Sequence, residues 1–104
     1  MNKQIITEVV NFTIMPGITD EDFVQCVYKL EENFHKILPG YIDSELAKGK
    51  EGQWTMVMHW ESLEQVKQAS KLMMQTPSTE DFRQSLDPKS VKIVLLEQKQ
   101  TWKI

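Results

Sequence analysis

The chain has 104 residues, 40% of them hydrophobic and 26% charged, with a formal net charge of −3. These values suit a single globular domain spanning residues 1–104, and the lack of any basic patch argues against nucleic acid and anionic membrane surfaces as partners. The one cysteine, Cys26, excludes an internal disulfide and fits a reducing compartment.

The opening Met1-Asn2-Lys3-Gln4 leads straight into a strand-like run without the apolar core or cleavage site of a signal peptide. No apolar stretch approaches the roughly 18–20 residues that would span a bilayer. A cytoplasmic protein with no membrane partner is expected. Ile5 to Ile14 is rich in β-branched residues and predicts a first strand, ended by Met15-Pro16-Gly17. Thr19-Asp20-Glu21-Asp22 resembles a capping box, with acidic residues where the helix dipole favours them. Phe23, Val27, Leu30, Phe34 and Ile37 then recur every three or four residues, the spacing of one apolar helix stripe. His35 and Lys36 fall near the end of this helix, where positive charge is favoured, and Pro39-Gly40 stops it.

Tyr41 to Lys48 predicts a second strand, Gly49-Lys50-Glu51-Gly52 a tight hairpin, and Gln53 to Trp60 a third strand. Ser62 and Gln65 form another capping box, and Leu63, Val66, Ala69 and Met73 the next helical stripe. Thr76-Pro77-Ser78 breaks the chain before a short third helix over Ser78 to Leu86, around Phe82. After the Asp87-Pro88 turn, Val91 to Leu96 predicts a fourth strand that could run on to Gln100.

The order is βαββαβ with an extra short helix, the split βαβ or ferredoxin-like arrangement of an α+β domain with a four-stranded antiparallel sheet. Two helices cover only one face of such a sheet. Strand alternation places Val10, Phe12 and Ile14 on one face of strand 1 and Val9, Asn11 and Thr13 on the other. Strand 4 is apolar on both faces. Strand 3 carries Trp54, Met56, Met58 and Trp60 on one face, with Thr55, Val57 and His59 opposite. Leaving the second face in water would expose a large apolar patch, so a homodimer that pairs two sheets is expected.

Val57-Met58-His59-Trp60-Glu61-Ser62-Leu63-Glu64, where strand 3 enters helix 2, and the Leu38-Pro39-Gly40-Tyr41 step resemble the dimeric α/β-barrel superfamily, and within it the antibiotic-biosynthesis-monooxygenase (ABM) family. The resemblance covers nearly the whole chain. It implies two facing sheets closed into a barrel, one from each subunit, and a pocket between each sheet and its helices. Some members oxidise polycyclic phenols with molecular oxygen and no cofactor; others degrade haem, others are isomerases. In quinone-forming members an Asn stands where this chain has Met56, and a Tyr where it has Val66. Haem-degrading members use a His beyond helix 2, and no His follows His59 here.

The resemblance therefore implies a monooxygenase acting on a small aromatic or quinol-type compound, with no metal and no organic cofactor. Trp60 would be the stacking platform and oxyanion donor, Asn11 would orient the substrate, and His59 would be a proton acceptor. Met56, Met58, Val66 and Phe82 would shape a cavity for a small apolar or aromatic ligand. Each residue also has a plainer reading. Tryptophans and methionines on an apolar strand face commonly just fill a core, and His59 and Asn11 suit hydrogen bonds at a dimer interface. Two histidines and one cysteine make no recognisable zinc site. The alternative is a non-catalytic ligand-binding or structural dimer of the same fold. What separates the two is whether the space beside Trp60 is open, with a polar group aimed into it, or filled by methionines.

Overall fold

The computed structural model describes residues 4–103. The elements run β1 (Ile6–Phe12), α1 (Asp20–Asn33), β2 (Tyr41–Lys48), β3 (Trp54–Trp60), α2 (Leu63–Gln75), α3 (Glu80–Ser85) and β4 (Lys92–Glu97), with 3-10 turns at His35–Ile37 and Pro77–Thr79. The four strands form one antiparallel sheet in the order β2-β3-β1-β4, the ferredoxin-like α+β arrangement.

Both expected helix starts are capped. Thr19 Oγ1 accepts from the Asp22 N–H at 3.1 Å, and Ser62 Oγ accepts from the Gln65 N–H at 3.3 Å. These bonds satisfy N–H groups that a first helical turn leaves without partners. The first strand stops two residues earlier than Ile14. Beyond Phe12 the backbone bonds to the loop before β4 rather than to a strand: the Thr13 N–H donates to Ser90 Oγ at 2.9 Å, and Thr13 O accepts from the Asp87 N–H at 2.9 Å. Ile14 keeps only an isolated bridge to Leu86.

The apolar stripe of α1 is also cut short. Phe23, Val27 and Leu30 are buried on the helix and Phe34 just beyond it, but Ile37 is 73% exposed and His35 is buried in its stead. At Phe34 the backbone leaves helical geometry (φ −129°, ψ −68°), and a 3-10 turn follows. Such a turn advances about 120° per residue instead of 100°. The stripe's phase is lost there, and His35 takes the inward position. Gly40 then carries the chain into β2 at φ +84°; a Cβ at this position would lie 2.0 Å from Gln65 Oε1. Its carbonyl accepts from the Glu61 N–H at 2.8 Å, which fastens the start of β2 to the end of β3.

The helices pack on one sheet face. Ile6, Glu8, Val10 and Phe12 of β1 and Trp54, Met56, Met58 and Trp60 of β3 point beneath them and are all buried. Phe23 is fully buried among aromatics, 5.6 Å from Phe12, 5.0 Å from Trp54 and 6.1 Å from Phe82, measured between ring centroids. The opposite face has no cover within the described chain. There Val57, Val9 and Val94 lie side by side across β3, β1 and β4, with Leu96 beside Thr7. Val94 and Leu96 are nearly half exposed. Among the described residues no helix is long and apolar enough to cross a membrane.

Candidate active site

Between the sheet and the helices lies a cavity of about 430 Å³, within the range of small-molecule sites. Its floor is Val10, Met56, Met58, Trp60 and Ile93 from the sheet; α2 contributes Ala69, Ser70, Met73 and Met74; Phe82 and Arg83 of α3 close one side. Met74 and Ile93 are more than half exposed and mark its mouth. The methionines line this space without filling it.

Three charged or titratable side chains break the apolar lining, Glu8, His35 and Arg83, and the first two are buried. Glu8 sits in the middle of β1, flanked by Met58 and Leu95 on the neighbouring strands, and is only 6% exposed. The Trp60 Nε1–H donates to Glu8 Oε1 at 3.0 Å. Among the described residues Glu8's second oxygen makes no hydrogen bond, yet no fully buried side-chain polar atom there lacks a partner. That oxygen therefore reaches open space, and the space beside it is the cavity. Burial raises the Glu8 pKa above 4.5, against the opposing pull of the Trp60 hydrogen bond and the charge of His35.

His35 is held from three sides. Its Nδ1 bonds to Glu31 Oε2 one helical turn back. Its ring stacks on Tyr41, with centroids 5.7 Å apart and planes 12° apart, and meets the edge of Trp60 at 5.9 Å. A carboxylate only accepts, so Nδ1 carries the hydrogen, and Nε2 makes no hydrogen bond among the described residues. By the same reasoning as for Glu8, Nε2 is not sealed in, and the cavity is what His35 lines.

Glu31 is fixed in turn. Tyr41 Oη donates to Glu31 Oε1 at 2.8 Å and lies 2.8 Å from Ser44 Oγ, whose hydroxyl also bonds to Glu31. Burial raises the Glu31 pKa, but the bonds from His35, Ser44 and Tyr41 and the His35 charge together outweigh it, and the net shift is downward. Burial and the neighbouring carboxylates push the Tyr41 phenol up to about 12, with the Ser44 bond opposing them, so it stays a donor at neutral pH. The result is a continuous polar strip, Ser44–Tyr41–Glu31–His35, ending on the same cavity as Glu8.

The expected site residues divide by sheet face. Trp60, Met56, Met58 and Phe82 line the cavity. Val66 is buried on α2 but lies outside the cavity wall. Asn11 and His59 are odd-numbered where the buried positions are even, so both lie on the far side of the sheet. There Asn11 Oδ1 accepts from Thr55 Oγ1 at 2.6 Å, and His59 Nδ1 meets Asp43 Oδ1 at 2.7 Å. The Trp60 N–H, expected to face a substrate oxyanion, is engaged by Glu8. Glu8 was legible in the sequence, because it shares parity with Val10 and Phe12. His35 carried no such signal. Among the described residues no group of three or more His, Cys, Asp or Glu side chains could hold a metal ion.

Geometric parallels lie in solved structures. SnoaB from Streptomyces nogalater, described as a cofactor-independent oxygenase, superposes with a TM-score of 0.75 over 94% of this chain and 96% of its own, at 16% identity. A candidate antibiotic biosynthesis monooxygenase from Caulobacter crescentus gives 0.70 over 95% and 93%, also at 16% identity. One from Chloroflexus aurantiacus gives 0.68 over 96% and 98%, at 13% identity. This chain has the ABM fold. At such identities the likeness speaks for architecture, and function has to be argued from the site. No family model and no curated protein matches the sequence. Within the ABM fold, this chain sets two buried titratable side chains, Glu8 and His35, against its cavity.

Proposed function

We propose that this ABM-fold chain is a cofactor-free monooxygenase of small, electron-rich aromatic compounds such as anthrones, dihydroxynaphthalenes or quinols, acting as a homodimer. The observation that carries this reading is the buried carboxyl of Glu8, aimed into an open apolar cavity. A carboxylate deprived of water is a stronger base than one in solution. Glu8 takes a proton from an activated C–H of the substrate. The carbanion passes an electron to oxygen, the two radicals join in a C–O bond, and loss of water from the hydroperoxide leaves a carbonyl. The balance is R₂CH₂ + O₂ → R₂C=O + H₂O, and no external reductant is needed. Apolar walls keep water from the carbanion. Trp60 stacks on the substrate's edge of the cavity and steadies the Glu8 anion through its N–H.

Oxygen uptake with a panel of these compounds, measured with a metal chelator present, tests the reading. Wild type should accelerate uptake, and Trp60→Phe should lower the rate about tenfold, or about 1.4 kcal/mol of transition-state stabilisation. The phenyl ring keeps an aromatic wall but removes the donor to Glu8. Uptake at the uncatalysed rate with every compound would favour a ligand-binding or structural dimer instead.

The dimer has separate support. The Val57–Val9–Val94 row and Leu96 form an apolar strip on a face that the helices leave bare. The Asn11–Thr55 and His59–Asp43 pairs border it with satisfied polar groups, which suits an interface role for Asn11 and His59. Light scattering at micromolar concentration should give twice the 12.2 kDa chain mass, and Val9→Arg should reduce it to a monomer. A wild-type monomer would remove the dimer from the proposal and leave the cavity chemistry standing.

A further inference from the structure

Turnover in this cavity poses a proton-accounting problem that Glu8 alone does not solve. Forming a carbonyl from an activated CH₂ moves two protons off carbon and two onto oxygen. A single buried carboxyl that has just taken a proton holds it on the carbon side of the reaction, while the peroxide anion needs one at once.

Resting on the oxidative reading above, we infer that His35 is the second acid–base group of the site, with Glu31 as its positioning residue. In the first half-cycle Glu8 takes a C–H proton, the C–O bond forms, and protonated His35 gives its Nε2 proton to the peroxide anion. Transfer of the proton from Glu8 to His35 Nε2 within the cavity restores both groups. In the second half-cycle Glu8 takes the remaining C–H proton as the O–O bond breaks, and the departing hydroxide leaves as water with the proton from His35. A last transfer from Glu8 to His35 closes the cycle. Atoms and electrons balance with oxygen as the only oxidant.

The geometry fits each requirement. His35 and Glu8 line the same cavity, and the His35 charge acts on the Glu8 carboxyl. Glu31 holds Nδ1, so the nitrogen free to exchange protons is the one on the cavity side. The Tyr41 and Ser44 hydroxyls fix Glu31, and stacking on Tyr41 fixes the ring plane. This arrangement of a base oriented by a carboxylate is the general logic of activated acid–base pairs. The charged or titratable groups that face His35 or its cavity are Glu31 from α1, Glu8 from β1, Tyr41 from β2 and Arg83 from α3.

Two measurements on the full chain decide the matter. In ¹⁵N ring-nitrogen NMR, His35 should show hydrogen on Nδ1 when neutral, Glu31→Gln should let the Nε2–H tautomer appear, and Glu8→Gln should move the Nε2 resonance. In steady-state oxygen uptake, His35→Gln should lower kcat about a hundredfold with KM within about twofold, and should abolish one limb of the pH profile. Glu31→Gln should lower kcat about tenfold and keep both limbs. A His35 protonated on Nε2, or one indifferent to Glu8→Gln, would overturn the relay whether or not any substrate is oxidised. Active wild type with an unchanged His35→Gln kcat would overturn it too, while leaving the oxidative reading intact. If no substrate is oxidised, the oxidative reading falls, and the NMR result still shows whether Glu8 and His35 form a coupled pair.

Discussion

Glu8→Gln is expected to slow oxygen uptake by about a hundredfold or more and, at neutral pH, to make the protein more stable than wild type. The two effects share one cause. A positioned general base contributes about 10²–10⁴ in rate, and an amide of the same shape cannot take the proton. The same carboxyl is costly to the fold, because burial disfavours its charged form. Its folded pKa lies above the unfolded value of 4.5, so the folded state holds the Glu8 proton more tightly than the unfolded chain does. The stability it allows is fully present below pH 4.5 and declines as pH rises through the folded pKa. Glutamine does not titrate, and its Oε1 can still accept from the Trp60 N–H. The stability difference between variant and wild type should therefore be small in mild acid, grow with pH and level off once Glu8 is ionised in both states.

Glu31 runs the other way. Its folded pKa is lowered, so it stabilises the fold above pH 4.5, and that stabilisation is lost as pH falls through the lowered value. Urea midpoints from mild acid to neutral pH, paired with uptake rates on the same preparations, measure both effects. A Glu8→Gln protein that keeps full activity would remove Glu8 as the base. One that loses activity and is also less stable at neutral pH would mean that Glu8 is a structural hydrogen-bond partner of Trp60.

The second large effect is on folding. Phe23→Ala should cost about 3–5 kcal/mol, the usual range for deleting a buried aromatic. Phe23 is fully buried and stands at the centre of a ring cluster. It meets Phe12 and Trp54 edge-on, at 5.6 and 5.0 Å, and stacks with Phe82 at 6.1 Å. Such pairs add stability beyond the area they bury. The cluster joins α1 to α3 and to both central strands, so little can collapse into the hole without moving an element. Domains of this size hold only about 5–15 kcal/mol in total. Denaturant unfolding would read the loss directly from the midpoint. A cost near 1 kcal/mol would mean that the core is organised elsewhere. Because Phe82 also walls the cavity, the variant should bind aromatic ligands more weakly even where it stays folded.

Local structure was largely legible in the sequence. The capping residues Thr19 and Ser62, the breaks at Pro16-Gly17 and Pro39-Gly40, and the apolar periods place the helices and strands within a few residues, because caps, turns and amphipathic spacing are local effects. Strand parity alone puts Met56, Met58 and Trp60 on one face and Asn11 and His59 on the other. The same parity pointed Glu8 inward, although a lone glutamate between isoleucine and valines reads more readily as solvated. Only tertiary structure decided the rest. The inward turn of His35 depends on a 3-10 segment that ends α1 one turn early, and no side-chain period marks where a helix loses its phase. Tyr41 and Ser44 come from another element to fix Glu31, a convergence across 10 and 13 residues that spacing does not encode. Whether four methionines fill a cavity or merely line it depends on how far the sheet and α2 stand apart, a distance set by the summed packing of all the elements.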